Sequence, residues 1–282
     1  MKIFKDAGKN EELEKEGYAI VPFLTPDEVE KLTEFFYVNH ASLPQGMYAS
    51  SHAPDFSFRR KMNEEIKIVC NRAVIEVFDA ATPLGATFMV KSKGENGSLH
   101  PHQDWSIVDE NKFHSYNIWL PLVDVSAENG TLLILPHSHN WLKCTRGLNI
   151  PSAFDKVESE VWRYLKPLNV KAGYAVVYDH RLLHASDINK TDTPRLVIVY
   201  GVIPNQAEMR YYYGRDNEIE EYSCSADFYF SETITQGPGT LPLLSKTINN
   251  NPVVTSEMLK SKYAVPAGFI NKFLAMFKPS KA

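Results

Sequence analysis

Apolar positions in the first third of the chain recur at helical spacing. Val29, Leu32, Phe35 and Phe36 form one stripe. Thr25-Pro26-Asp27-Glu28 just ahead of it is a capping box with proline at the first helical position, so a helix is expected to start there. A second helix is expected over about 63–80, with Ile66, Val69, Cys70, Ala73, Val74, Val77 and Phe78 on one face. From residue 86 the texture changes to short runs of β-branched and aromatic residues, at 86–93, 116–125, 131–135, 169–178 and 196–203. Asn129-Gly130 reads as a hairpin turn between two of them, and Ala172-Gly173 as another turn. Helices followed by a strand-rich body predict an α+β or mostly β fold in one domain. Its expected parts are a mainly helical 1–85, a β core over 86–203 and a C-terminal extension, 204–282, packing on that core. Beyond Pro204 the pattern is weak. In 269–277, Ile270, Phe273, Leu274 and Phe277 stand at helical spacing and read as a docked or dimer-forming helix.

The chain has 282 residues, 44% hydrophobic and 23% charged, which places it among ordinary globular proteins. A net charge of -4 gives no electrostatic footprint for nucleic acid or an anionic membrane. The start lacks a signal-peptide run, and no segment has the length of a membrane span. Cys70, Cys144 and Cys224 are odd in number and share no motif, so they read as reduced thiols; a cytoplasmic protein, monomeric or homodimeric, is expected.

Candidate chemistry centres on His100-Pro101-His102-Gln103-Asp104. Side chains at i and i+2 of a strand share a face, so His102 and Asp104 converge on one metal ion. One further imidazole completes the two-His, one-carboxylate set that binds Fe(II) and leaves three positions open. His184, directly after a predicted strand, supplies it. Arg195 follows eleven residues later, and Ser186 adds a hydroxyl. A 2-oxo diacid chelating the metal leaves one carboxylate over, and a guanidinium forks onto such a group better than an ammonium does. His180 competes for the distal position but lacks partners at these offsets. His137 and His139 read as structural and His100 as a surface residue. Trp105 reads as either pocket wall or core. Arg59, Arg60 and Lys61 read as a solvated helix entrance.

These residues resemble the phytanoyl-CoA dioxygenase family of Fe(II)/2-oxoglutarate-dependent oxygenases. The resemblance runs from Gly17-Tyr18-Ala19-Ile20-Val21 to about Ile203. Its most specific pieces are His102-Gln103-Asp104, Glu128-Asn129-Gly130 through Leu135-Pro136 to Ser138-His139, and Arg181-Leu182-Leu183-His184 with Ser186 and Arg195. It implies a double-stranded β-helix, a jelly-roll or cupin-like barrel with flanking helices. It also implies Fe(II), 2-oxoglutarate and O2 as co-reactants, ascorbate as an assay reductant, and oxidation of an unactivated carbon of a small molecule with release of succinate and CO2. By the same resemblance Met89 and Trp119 line the 2-oxoglutarate pocket; Asn117, two residues before Trp119 on the same face, is a donor to the co-substrate, and Trp105, Lys91 and Tyr116 are expected in the substrate pocket. In related halogenases a small residue replaces the carboxylate ligand, so Asp104 implies hydroxylation. Lys91-Ser92-Lys93-Gly94-Glu95 stands where many relatives have a Lys-Pro-Pro-Gly-like turn. Two alternatives stay open: a cupin-type isomerase or dioxygenase that uses no 2-oxoglutarate, and a non-enzymatic binding protein on the same barrel.

Overall fold

The computed structural model describes residues 2–40, 42–43, 45–230 and 234–263. The amphipathic stretch at 269–277 lies outside them. The N-terminal part contains α1 (Ala7–Glu16), β1 (Tyr18–Pro22), α2 (Pro26–Asn39), β2 (Met47–Ala49) and α3 (Phe56–Val77). The middle contains β3 (Ala81–Lys91), β4 (Leu99–His102), β5 (Tyr116–Pro121), β6 (Leu132–Ile134), α4 (Glu158–Val161), β7 (Lys166–Pro167), β8 (Tyr174–Asp179), β9 (His184–Ser186) and β10 (Arg195–Pro204). Then follow β11 (Arg210–Arg215), β12 (Glu218–Ser223), α5 (Ala226–Phe230), β13 (Leu243–Ile248) and α6 (Ser256–Tyr263).

The strands form a six-stranded sheet, β1-β8-β5-β10-β3-β2, a four-stranded sheet, β4-β9-β6-β7, and a three-stranded meander, β11-β12-β13. Every pair within them is antiparallel. The first two sheets are the halves of the jelly roll. Alternation along the long strands assigns their faces. Leu196, Ile198, Tyr200 and Val202 of β10 join Phe88, Ile118 and Val177 in a core shared with Leu32, Phe36, Ile66 and Val74 of the helices. Val197 of β10 joins Trp119, Val176 and Tyr178 in a second core closed by Leu132 and Ile134 of the smaller sheet. The space between the sheets is therefore lined by the other half of each strand. None of the described helices is long and apolar enough to cross a membrane.

Pro26 opens α2 as expected, with both arms of the Thr25–Glu28 capping box formed. The second helix begins earlier than its apolar stripe, at Phe56, because Asp55 caps it by accepting from the Ser57 backbone N–H. Helix α1 was not expected: only Asn10 and Leu13 of it are buried, too few for a stripe. The N-terminal part also supplies both edges of the large sheet, β1 and β2. Asn129-Gly130 does not close a hairpin. The strands on either side, β5 and β6, pair in different sheets, so the turn carries the chain from one sheet to the other. Gly130 there is left-handed (φ 75°), and a Cβ on it would stand 2.5 Å from the Asp187 carbonyl oxygen.

Candidate metal centre

His102 ends β4 and His184 opens β9, and the two are direct cross-strand partners. Asp104 lies two residues past the strand end. Donor atoms of the three lie within 4.8 Å of one another: His102 Nε2 is 4.0 Å from Asp104 Oδ1, and His184 Nε2 is 4.0 Å from Asp104 Oδ2. Each imidazole is anchored through its other nitrogen. His102 Nδ1 donates to the His100 carbonyl (2.7 Å) and His184 Nδ1 to the Leu182 carbonyl (2.9 Å). A carbonyl only accepts, so Nδ1 carries the proton and the Nε2 lone pairs face the shared space. Burial, reinforced by His102, lowers His184 to about 4, which keeps it an unprotonated ligand at neutral pH. Burial raises the Asp104 carboxyl, but His184, His180, His102 and the Asn117 amide outweigh it and hold it at about 2. Two neutral imidazoles and one ionised carboxylate are what a divalent first-row metal requires.

A cavity of about 600 Å³ opens on this centre. His102, Asp104, Trp105, His180, Arg146 and Tyr229 are in its wall, with apolar surface from Leu84, Ile107 and Met209 among others. Trp105 is both pocket wall and packing residue, standing edge-on to Tyr211 at 6.3 Å. Asn117, expected to meet the co-substrate, is in the cavity wall and donates to Asp104 Oδ2 (2.9 Å), which orients the carboxylate.

The remaining predicted residues lie elsewhere. Met89, Trp119 and Arg195 occupy the inward face of the large sheet, and Ser186 lies in β9, paired with Leu132. Arg195 is fully buried, its guanidinium 5.6 Å from the Trp119 ring; Nη1 donates to the Gly130 carbonyl, and Nε has no partner. Among the described residues no carboxylate pairs with it, and burial lowers it to about 10. Two substrate-pocket expectations are corrected. Tyr116 has the opposite strand parity to Asn117 and Trp119, so it is buried in the helix-side core. Lys91 is absent from the cavity wall: fully buried, it donates from Nζ to Ser186 Oγ (2.7 Å) and stands directly across the sheet from Arg195.

Residues the motifs did not single out complete the centre. The Tyr178 hydroxyl lies 3.4 Å from both His184 Nε2 and Asn117 Nδ2, at the end of a predicted strand six residues before His184. Arg146 donates from Nε to the Asp104 carbonyl oxygen (2.7 Å) and pairs with Glu110 through both terminal nitrogens. It sits in a loop with no sequence signature.

A jelly roll that presents two imidazoles and one carboxylate to a cavity defines a facial-triad metalloprotein. The family model described as Phytanoyl-CoA dioxygenase (PhyH) matches residues 11–197, more than half of the chain, and the chain belongs to that family. It is 24% identical over 164 residues to phytanoyl-CoA dioxygenase domain-containing protein 1 of Danio rerio, covering 55% of each. The chain spans about half the length of the curated relatives it matches. Among solved structures it is similar to the non-heme alpha-ketoglutarate-dependent carbocyclase SnoK from nogalamycin biosynthesis (16% identity, 72% of this chain and 86% of that one, TM-score 0.53). It is similar also to the epimerase SnoN, solved with Fe3+, alpha ketoglutarate and nogalamycin RO (19% identity, 89% and 96%, TM-score 0.52). These two likenesses establish the fold.

Proposed function

We propose that this chain is a non-haem Fe(II)/2-oxoglutarate-dependent dioxygenase that hydroxylates an unactivated carbon of a small-molecule substrate. The observation that carries the reading is the pairing of a complete His102–Asp104–His184 triad with Arg195, a buried cation that meets no anion among the described residues. A metal-only cupin enzyme has no use for that cation, and leaving it unpaired inside a protein is costly.

When bound, iron and 2-oxoglutarate supply the oxidising power, consuming O2 and releasing succinate and CO2. The protein supplies position and dryness. His102, Asp104 and His184 would hold the ion, three protein ligands being what leaves room for a co-substrate on it. The carbonyls of His100 and Leu182 fix both imidazole tautomers, and Asn117 holds the carboxylate. Arg195 would take the distal carboxylate of 2-oxoglutarate, with Trp119 and Met89 on the same inward face of the sheet. The substrate occupies the cavity beside His102 and Asp104, against Trp105 and the apolar wall. Because Asp104 keeps the carboxylate position filled, hydroxylation is the favoured outcome.

The test is substrate-dependent succinate release across a metabolite library, with Fe(II), ascorbate and O2 present. Iron retention without 2-oxo acid consumption under any condition would replace this reading with a generic metal cupin.

A further inference from the structure

Lys91 is a second buried cation that the metal centre does not use. In the register of β3 and β10 it stands directly opposite Arg195, and both side chains point between the sheets. Like charges facing each other across a ladder destabilise it, and burial removes the water that would screen them. Near Lys91 the compensating carboxylate is Asp187, which is half exposed. The remaining Lys91 contacts are oxygen acceptors: Ser186 Oγ at 2.7 Å, the Ser186 carbonyl at 3.3 Å and the Asp187 carbonyl. Gly130 ties the two cations together. Its carbonyl accepts from Arg195, and its missing Cβ leaves room for Lys91 Cδ, 3.0 Å from where that carbon would stand.

Beside a bound anion Lys91 is an ammonium with only protons to give, so Ser186 Oγ is the acceptor in its contact with Lys91. Its own hydroxyl proton is thereby directed elsewhere. We propose that Lys91 is a positioning residue of the co-substrate site: it holds the Ser186 hydroxyl so that its proton is donated, alongside the Arg195 guanidinium, to the distal carboxylate of a 2-oxo diacid. The inference rests on the co-substrate reading above and extends it from one cation to a two-cation pocket. Such a pocket selects a diacid over a 2-oxo monoacid, because only the diacid brings a second negative charge into it.

The test is calorimetric titration of anaerobic Fe(II)-loaded protein with 2-oxoglutarate and, separately, with pyruvate, which lacks the distal carboxylate. Lys91→Met is expected to weaken 2-oxoglutarate about tenfold, the scale of one hydrogen bond to a charged group, and to leave pyruvate unchanged. Lys91→Gln, which retains an N–H for Ser186, is expected to recover most of the loss and guards against a folding defect in the Met variant. Ser186→Ala is expected to lose as much as Lys91→Met, and the double variant no more than about twofold beyond Ser186→Ala, since the lysine acts through that hydroxyl. A Met variant that keeps the wild-type preference for the diacid, or losses that simply add in the double variant, would overturn the role of Lys91 alone. A wild-type protein that binds 2-oxoglutarate no better than pyruvate would overturn the co-substrate reading and this inference with it.

Discussion

Arg146 and Arg195 are both buried arginines of one jelly roll, and their surroundings are opposite. Arg146 pairs with Glu110 through both terminal nitrogens and donates to the carbonyls of Asp104 and Cys144. Burial alone would lower it, but the Glu110 pair raises it above the ordinary arginine value. Arg195 has one carbonyl acceptor, an unpartnered Nε and Lys91 across the strand, and it falls to about 10. The first is a finished structural joint, bracing the loop that carries Asp104. The second, under the function proposed above, is half of an interaction whose other half is a ligand. Residue type does not separate a fastener from a binding site here; the presence or absence of a counter-charge does.

The largest effect expected lies between the two arginines, at the metal. His184→Ala removes one of three ligands and should abolish turnover, with iron stoichiometry falling in a metal analysis of the purified protein. Full activity with undiminished iron would mean that another histidine, His180 being nearest in sequence, completes the triad.

Next comes the structural arginine. Arg146→Ala leaves Glu110 partly buried and unpaired, and breaking a buried pair from one side typically costs ~3–5 kcal/mol. Urea denaturation of the metal-free protein should show a loss of that order. The variant that remains folded should lose less 2-oxoglutarate affinity than Arg195→Ala, since Arg146 acts on the co-substrate only through the Asp104 loop. A stability loss under about 1 kcal/mol would place the Glu110 pair among ordinary surface bridges.

Arg195→Ala should behave in the reverse way. Truncating one partner of a buried charge pair typically costs ~2–5 kcal/mol of binding, so 2-oxoglutarate should weaken about 30-fold or more. Stability of the ligand-free protein should hold or rise, since an unpaired buried charge is removed. Arg195→Lys keeps the charge without the fork and should recover only part of the affinity. Unchanged 2-oxoglutarate affinity in the Ala variant would sink the assignment.

What was legible in the sequence was local or periodic. His102 and Asp104 are two residues apart, although only His102 proves to be in the strand, and His184, Ser186 and Arg195 lie within twelve residues, so their relation survives without knowledge of the fold. Strand parity contained a warning about Tyr116: if Asn117 and Trp119 face the centre, their neighbour faces the helices, as it does. Other features depend on pairings between distant segments. Asn129-Gly130 is indistinguishable locally from a hairpin turn until β5 and β6 are seen to pair elsewhere. Lys91 becomes a partner of Arg195 only through the register of β3 with β10. Arg146 has no periodicity at all, and its role comes from Glu110, thirty-six residues away.

The smallest prediction concerns the pH dependence that this register creates. In the ligand-free protein Lys91 is lowered to about 7, first by burial and then by Arg195 on the facing strand, partly offset by Asp187 beyond β9. An unfolded lysine titrates near its ordinary value of 10.5. Between those values the unfolded chain holds a proton that the folded protein does not, so this group makes stability rise with pH across the window. Below about 7 both states are protonated, and the full cost of charging Lys91 beside Arg195 is present. One proton of difference corresponds to about 1.4 kcal/mol per pH unit. Lys91→Met lacks the titrating group, so the unfolding free energy of wild type should rise relative to that of the variant by roughly that amount per unit through mildly alkaline pH. The buried tyrosines Tyr178 and Tyr212, both raised above their ordinary range, are common to the two proteins and cancel. Saturating 2-oxoglutarate should flatten the dependence, because an anion beside Lys91 restores its proton. A wild-type-minus-variant difference that stays level with pH would show that Lys91 is charged throughout, and that the ligand-free pocket already holds two full positive charges.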